Sequence, residues 1–132
     1  MIRHDNQPPI VISEAEHARL SNLAEANRHL PGVADYLLTE LERATIASDS
    51  ELGRDIVTMN TELEYRDEST GATRRVTLVY PEAQDIAAWK ISVLTPVGAA
   101  LIGLAAGQSI AFEDRTGETR RLTVTRIFER GT

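Results

Sequence analysis

Along the first third of the chain apolar residues recur every three or four positions, and beyond about position 55 they tend to alternate with polar ones. The first spacing is that of one helix face, the second that of a half-buried strand. Ser13-Glu14-Ala15-Glu16 has the S-x-x-E form of a capping box, in which hydroxyl and carboxylate each accept from a backbone N–H that the first helical turn leaves orphaned. A helix is therefore predicted from Ser13, with Leu20, Leu23, Ala24 and Asn27 on its stripe. After the turn "NRHLPG" a second stripe runs through Val33, Leu37, Leu41 and Ala44, widened by Tyr36 and Leu38, and ends near Ile46. Two stripes joined by a turn predict an antiparallel helical hairpin over 13–47, each arm about 14 to 16 residues and so about 21 to 24 Å long.

Residues 48–55, within "ASDSELGRD", are small and polar with no periodic apolar face, the composition of a linker. Residues 1–12 read as an N-terminal tail. Past the linker, "DIVTMNTELEYRD" and "TRRVTLVYP" flank the turn-forming "ESTGA", and "SIAFED" and "TRRLTVTRIFER" flank "RTGE". Branched and aromatic residues around glycine-containing turns predict hairpins. In the last of these, Leu122, Val124 and then Arg126 or Phe128 are expected to alternate with Thr123, Thr125 and Ile127. Between the hairpins lies "ISVLTPVGAALIGLAAGQSI". Pro96 suits the first turn of a helix, where its missing N–H is no loss, and Gly103 or Gly107 can close that helix or form the turn after it. The expected fold class is α+β: a short helical hairpin, then over 56–130 an antiparallel sheet of four or five strands with one short helix packed across it.

Composition narrows the function classes. The chain has 132 residues, 42% of them apolar, and a net charge of -6, enough to bury a core without staples. It has no cysteine, so neither disulfide nor thiolate chemistry is available. The acidic balance argues against holding nucleic acid directly, because that affinity scales with the number of basic contacts. No apolar run precedes the early prolines, and Pro96, three glycines and several polar residues interrupt the most apolar stretch. Neither a secretory signal nor a membrane span is expected, and a cytoplasmic monomer is the default.

The motifs with chemical content are mostly negative. Gly98 and Gly103 have the spacing of a phosphate loop, but Leu104 and Ala105 stand where the lysine and the magnesium-binding hydroxyl are needed. His4, His17 and His29 are too scattered for a metal site and read as solvated surface. Ser13, Ser92 and Ser109 lack a histidine-and-acid arrangement that would make one a nucleophile. Tyr65, Tyr80, Phe112 and Phe128 are about what a core requires, whereas Trp89, beside Lys90, is a candidate exposed contact. No cofactor or metal is expected.

"DIAAWKISVLTPVGAALIGLAAGQSIAFE", residues 85–113, resembles the C-terminal domain of the bacterial Gre transcript-cleavage factors: an Asp-Ile, a spacer, Ile-Ser, Ser/Thr-Pro, and a small helix ending in glycine. With "DIVTMNTELEYRD" and "VTLVYPEAQDI" it is similar, more closely, to the Rnk group of that superfamily, the regulators of nucleoside diphosphate kinase. The resemblance spans most of residues 10–130. It implies an FKBP-like C-terminal domain, an N-terminal antiparallel coiled coil, and bacterial RNA polymerase as partner, approached at its secondary channel. It also implies docking residues on matching positions: Asp85, Ser92, Thr95 and Pro96, to which the candidate contact Trp89 is added. Asp85 reads equally as the cap of a short turn, and Pro96 as purely structural.

Gre factors carry paired acidic residues at the coiled-coil tip that help hold a catalytic metal in the polymerase. A hard cation wants such oxygen ligands. Here the tip reads "EANRHLPGVAD", with Arg28 and His29 at the turn and Glu25 and Asp35 about one turn back on either arm. Asp35 suits the first turn of a helix, and no adjacent acidic pair crowns the tip. The expectation is a non-enzymatic, Rnk-type transcription regulator that competes with Gre-like factors without cleavage. A Gre-like cleavage factor and an FKBP-like peptide-binding module are the alternatives.

Overall fold

The computed structural model describes residues 7–29 and 32–129. His4 and the rest of residues 1–6, Leu30 and Pro31 of the hairpin turn, and Arg130 lie outside the described residues. The element order is β1 (Val11–Ser13), α1 (Glu14–Ala26), α2 (Val33–Arg43), β2 (Thr45–Ala47), β3 (Glu62–Asp67), β4 (Thr73–Val79), β5 (Lys90–Ser92), α3 (Pro96–Leu101), β6 (Ser109–Glu113) and β7 (Thr119–Glu129).

The hairpin begins where the capping pattern places it. Ser13 is the N-cap of α1, its hydroxyl accepting from the Glu16 N–H at 3.2 Å. The Glu16 carboxylate accepts from the backbone N–H of Met59 at 3.2 and 3.3 Å, so the first turn of the hairpin is tied to the start of the β-rich part. The second arm stops sooner than its apolar stripe suggests. Its last helical residue is Arg43, and Thr45–Ala47 leave the helix to pair in parallel with Val11–Ser13. The reason lies in the segment just before β1: Ile10 and Ile12 are each 1% exposed, and Arg43 holds the Pro8 carbonyl at 2.6 Å while pairing with the buried Glu40. The N-terminal segment is thus no free tail: Ile10, just before β1, and Ile12 within it belong to the core. Nor is His17 a solvated side chain, since its Nε2 lies 2.9 Å from the Leu41 carbonyl across the hairpin.

In the β-rich part a five-stranded sheet runs in the order β5-β4-β3-β7-β6. All its pairs are antiparallel except the edge pair β4–β5, which is parallel. "DIVTMNTELEYRD" does not form one strand. A turn at Thr58–Thr61, closed by a hydroxyl–hydroxyl bond of 2.7 Å with Asn60 at φ 63, divides it, and Asn is among the few residues that adopt that conformation locally. Val57, ahead of the turn, exchanges backbone hydrogen bonds with Leu104 and Gly103 at the exit of α3 instead. In β7 the register with β3 shifts between Glu64 and Tyr65. This bulge re-aims the strand, so the inward residues are Leu122, Val124 and then Ile127, and the expected alternation through Arg126 or Phe128 fails. Phe128 lies between the guanidinium groups of Arg75 and Arg126, at 3.8 and 4.9 Å.

One continuous core unites both parts. Leu20, Ala24, Leu37 and Leu41 of the hairpin cluster with Ile10 and Ile12, with Leu63, Leu78, Phe112 and Val124 of the sheet, and with Ala99 to Leu101 of α3. α3 lies against the end of β5 at backbone distance, since a Cβ on Gly98 would stand 2.1 Å from the Ser92 carbonyl oxygen. Gly103, at φ 82, ends α3 directly over Ile10. Gly98 is required for its missing side chain, and Gly103 for that and for its tolerance of positive φ.

Candidate functional site

The sequence-predicted residues at positions 85–96 occupy one continuous turn system between β4 and α3. Asp85 caps the 3₁₀ turn Ile86–Ala88, its carboxylate accepting from the Ala88 N–H at 3.3 Å. Asp85 and Lys90 also exchange backbone hydrogen bonds at 3.0 and 2.9 Å, and Thr77 on β4 donates its N–H to the Trp89 carbonyl at 2.9 Å. The turn is therefore exposed yet held by backbone hydrogen bonds of its own and to β4. Of the three large apolar side chains left exposed among the described residues, two stand on it, Ile86 at 68% and Trp89 at 53%.

The remaining predicted residues divide by burial. Ser92 is 3% exposed. Its hydroxyl accepts from the Leu94 N–H, and its carbonyl accepts from the Thr95 N–H and hydroxyl. Such a residue shapes the turn and offers nothing to a partner's surface. Thr95 is the N-cap of α3, accepting from the Gly98 N–H at 3.1 Å, and Pro96 occupies the first turn as expected. Together with Ile86, Thr95 and Pro96 line one part of an open groove of about 530 Å³.

The floor of this groove is apolar, made by Phe112, Leu122 and the half-buried Tyr65. Burial pushes the Tyr65 hydroxyl above its ordinary pKa, against the opposing pull of Arg74. Another part of the lining is a charge network in which Arg120 pairs with Asp67 and lies 3.7 Å from Asp114. Burial pulls the Asp67 carboxyl upward, but the Ser69 N–H and Arg120 outweigh it and leave the group below its usual value. Asp114 is held low first by the Thr116 hydroxyl, then by the N–H groups of Thr116 and Glu118. Arg74 stands between this groove and a second depression, of about 370 Å³, that Trp89 lines.

Hairpin-tip chemistry is different. Arg28 lies 3.6 Å from Glu25 and 3.6 Å from Asp35, so one exposed guanidinium stands between two carboxylates and offsets one of their two charges. His29 is exposed. Among the described residues no group of three or more histidine, aspartate or glutamate side chains is placed to hold a metal, and no helix is long and apolar enough to cross a membrane.

Several residues of this surface were invisible to the periodicity reading. Arg74 stacks over Trp89 only because β4 and β5 pair in parallel, Thr77 opposite Lys90. Arg120 meets Asp67 through pairing of β7 with β3. Both depend on long-range strand partners, which local patterning does not specify.

Comparison with known proteins gives a consistent result. The family model "Transcription elongation factor, GreA/GreB, C-term" matches residues 51–128, and the model "Rnk N-terminus" matches residues 8–46. The regulator of nucleoside diphosphate kinase of Escherichia coli K12 is 40% identical over 121 residues, which cover 90% of this chain and 88% of that protein. The transcription elongation factor GreA of Solidesulfovibrio magneticus is 27% identical over 103 residues, covering 78% of this chain and 63% of that one. Among solved structures, the prokaryotic transcription elongation factor GreA/GreB from Nitrosomonas europaea superposes with a TM-score of 0.72 at 37% identity, covering 93% of this chain and 100% of that one.

Proposed function

The chain belongs to the GreA/GreB family of transcription elongation factors, in its Rnk branch, and on that premise we propose that it is a non-enzymatic regulator that docks on bacterial RNA polymerase at the secondary channel. It competes there with Gre-like factors and does not stimulate transcript cleavage. The observation that carries this reading is the turn system 85–97, where a rigid, internally bonded loop presents Ile86 and Trp89 to solvent beside an apolar groove. A soluble chain leaves such surface uncovered where a partner covers it. Asp85 and Thr95 hold the loop in shape, Ile86, Trp89 and Pro96 make the contact, and Ser92 acts from beneath.

Two features of the hairpin support the absence of cleavage. Its arms have 13 and 11 residues, about 20 and 17 Å long, and the two carboxylates nearest the tip stand on opposite arms with the Arg28 guanidinium 3.6 Å from each. A cation placed between the two carboxylates at the tip opposes a divalent cation there by like charge. The action is thus occupancy of the channel entrance, carried out in the cytoplasm by a monomer.

The test is displacement of a fluorescently labelled Gre-type cleavage factor from RNA polymerase by the full chain, paired with a transcript-shortening assay on stalled elongation complexes. Displacement without shortening is expected. Failure to displace at any concentration up to the solubility of the chain overturns the proposal, and shortening of the transcript moves the chain to the cleavage factors. The groove with its Tyr65 and Phe112 floor supports one second reading, a peptide-binding module, for which a proline-peptide isomerisation rate above background is the corresponding test.

A further inference from the structure

Trp89 has a backbone that an indole side chain does not favour. Its φ of 57 and ψ of 34 put it in the left-handed region, where Cβ crowds the following carbonyl and where bulky residues are rare. The strain persists because the surroundings determine it: the Trp89 N–H closes on the Ile86 carbonyl at 3.1 Å, its own carbonyl accepts from Thr77, and Asp85 and Lys90 bracket the turn. Burial returns little, since the indole is 53% exposed. A left-handed residue in an exposed turn is most easily a glycine. Strain kept for a large exposed aromatic points to a use outside the fold.

The charge around the indole defines what it fits. The chain carries 20 acidic against 14 basic side chains, and three arginines of the sheet are paired: Arg66 with Glu68, Arg75 with Glu62, Arg120 with Asp67. Arg74, whose guanidinium lies 5.7 Å from the Trp89 ring centre, and Lys90 beside it are in no ion pair among the described residues. The indole therefore has one cation over its ring and a second on the next residue of the chain, neither in an ion pair among the described residues, on an acidic molecule.

We infer that Trp89 is the anchor of the docking turn, seated in an apolar depression of a protein partner whose rim carries a carboxylate facing Arg74 and Lys90. This rests on the docking proposed above and supplies its chemistry. Buried aromatic anchors ringed by polar contacts carry most of the energy of protein interfaces. The unpaired cations supply orientation and encounter rate against an acidic rim.

Trp89→Gly tests the anchor directly, because glycine relieves the backbone strain while deleting the side chain. Binding of the full chain to nucleic-acid-free RNA polymerase is measured alongside thermal unfolding. The expected result is a Tm at or above that of the unsubstituted chain with at least about tenfold weaker binding, and intermediate affinity for Trp89→Phe. If the unsubstituted chain does not bind, the docking proposal fails. If it binds and Trp89→Gly binds equally well, the anchor alone fails. A fall in Tm accompanying the loss of affinity marks the indole as structural and overturns the inference. So does a loss confined to elongation complexes, which places the contact on nucleic acid. Lys90 is the only lysine of the chain, so zero-length carbodiimide coupling reads the rim independently. A mapped Lys90 cross-link to an aspartate or glutamate of the polymerase is expected, and its absence in a saturated complex overturns the acidic rim.

Discussion

At the hairpin tip a single guanidinium lies between two carboxylates, 3.6 Å from each, whereas at the turn between β4 and α3 two large apolar side chains face water and the cations Lys90 and, on β4, Arg74 are in no ion pair among the described residues. Both regions are exposed, and both stand on the same core. They differ in what they leave unsatisfied. The tip sets its charged groups against one another; the turn bonds its backbone and leaves its side chains open. Exposed charges that face one another across a hairpin are already partly screened, while a rigid loop with unpaired aromatic and cationic groups loses little entropy on binding. The contrast assigns contact to the turn and only steric presence to the tip.

The largest expected effect comes from breaking the support of the turn. A Cβ on Gly98 would meet the Ser92 carbonyl oxygen at 2.1 Å and the Val93 Cα at 2.9 Å. All of the contacting atoms are backbone, which cannot swing aside. Gly98→Ala is expected to cost more than about 4 kcal/mol, among the exceptional values for one substitution, read from urea unfolding, and to abolish competition for polymerase. Leu37→Ala comes next. It removes a fully buried side chain of α2 from the core that underlies tip and turn alike, at about 3 kcal/mol. Because the foundation is shared, polymerase binding should track the folded fraction rather than fall independently. A Leu37→Ala chain that remains folded yet cannot bind would show that the hairpin makes direct contact, and would break the contrast between the two ends.

Acid gives a smaller and reversible effect, to which the groove contributes through two carboxylates. Asp114 and Asp67 are both held below their ordinary value of 3.8 in the folded chain. A depressed folded-state pKa stabilises the chain above the unfolded value, and that stabilisation is lost as pH falls through the lower folded-state value. Stability should therefore be flat down to about pH 4 on this account and fall below it. In Asp114→Asn the part of the acid-induced fall that comes from Asp114 should be missing when melting is followed against pH.

The ease of reading differs between the same two regions. The cap at Ser13, the proline-opened helix at Pro96 and the "ESTGA" turn are local chemistry, written within four or five residues and visible without the fold. The close of α3 is of that kind only in part, since the sequence offers Gly103 and Gly107 alike and the fold selects Gly103. The pairing of Val11–Ser13 with Thr45–Ala47 is not, because two three-residue strands have too little pattern to name each other across a whole helical hairpin. The β7 bulge was hidden for a related reason, since register belongs to a pair of strands and not to one. At the site, Asp85 as a turn cap and the two-sided reading of Pro96 were legible. The burial of Ser92 was not, since it depends on α3 lying over the end of β5. Left-handed Trp89 was hidden more deeply: the usual sign of that conformation is glycine or asparagine, and the residue that occupies it here belongs to neither type.

The smallest expected effect is at the tip, and it is the most direct measure of the contrast. Arg28, Glu25 and Asp35 are all more than half exposed, so their attraction is screened and offset by the entropy of ordering long side chains. Arg28→Ala should change stability by no more than about 0.5 kcal/mol and leave competition for polymerase where it was. It also releases Glu25 and Asp35 from their shared partner, giving the tip two uncommitted carboxylates on opposite arms. If the tip only occupies space, stalled transcripts keep their length in the presence of Arg28→Ala as they do with the unsubstituted chain. If shortening appears on substitution, Arg28 is what silences the tip, and the tip then belongs with the turn among the chemically engaged ends of the molecule.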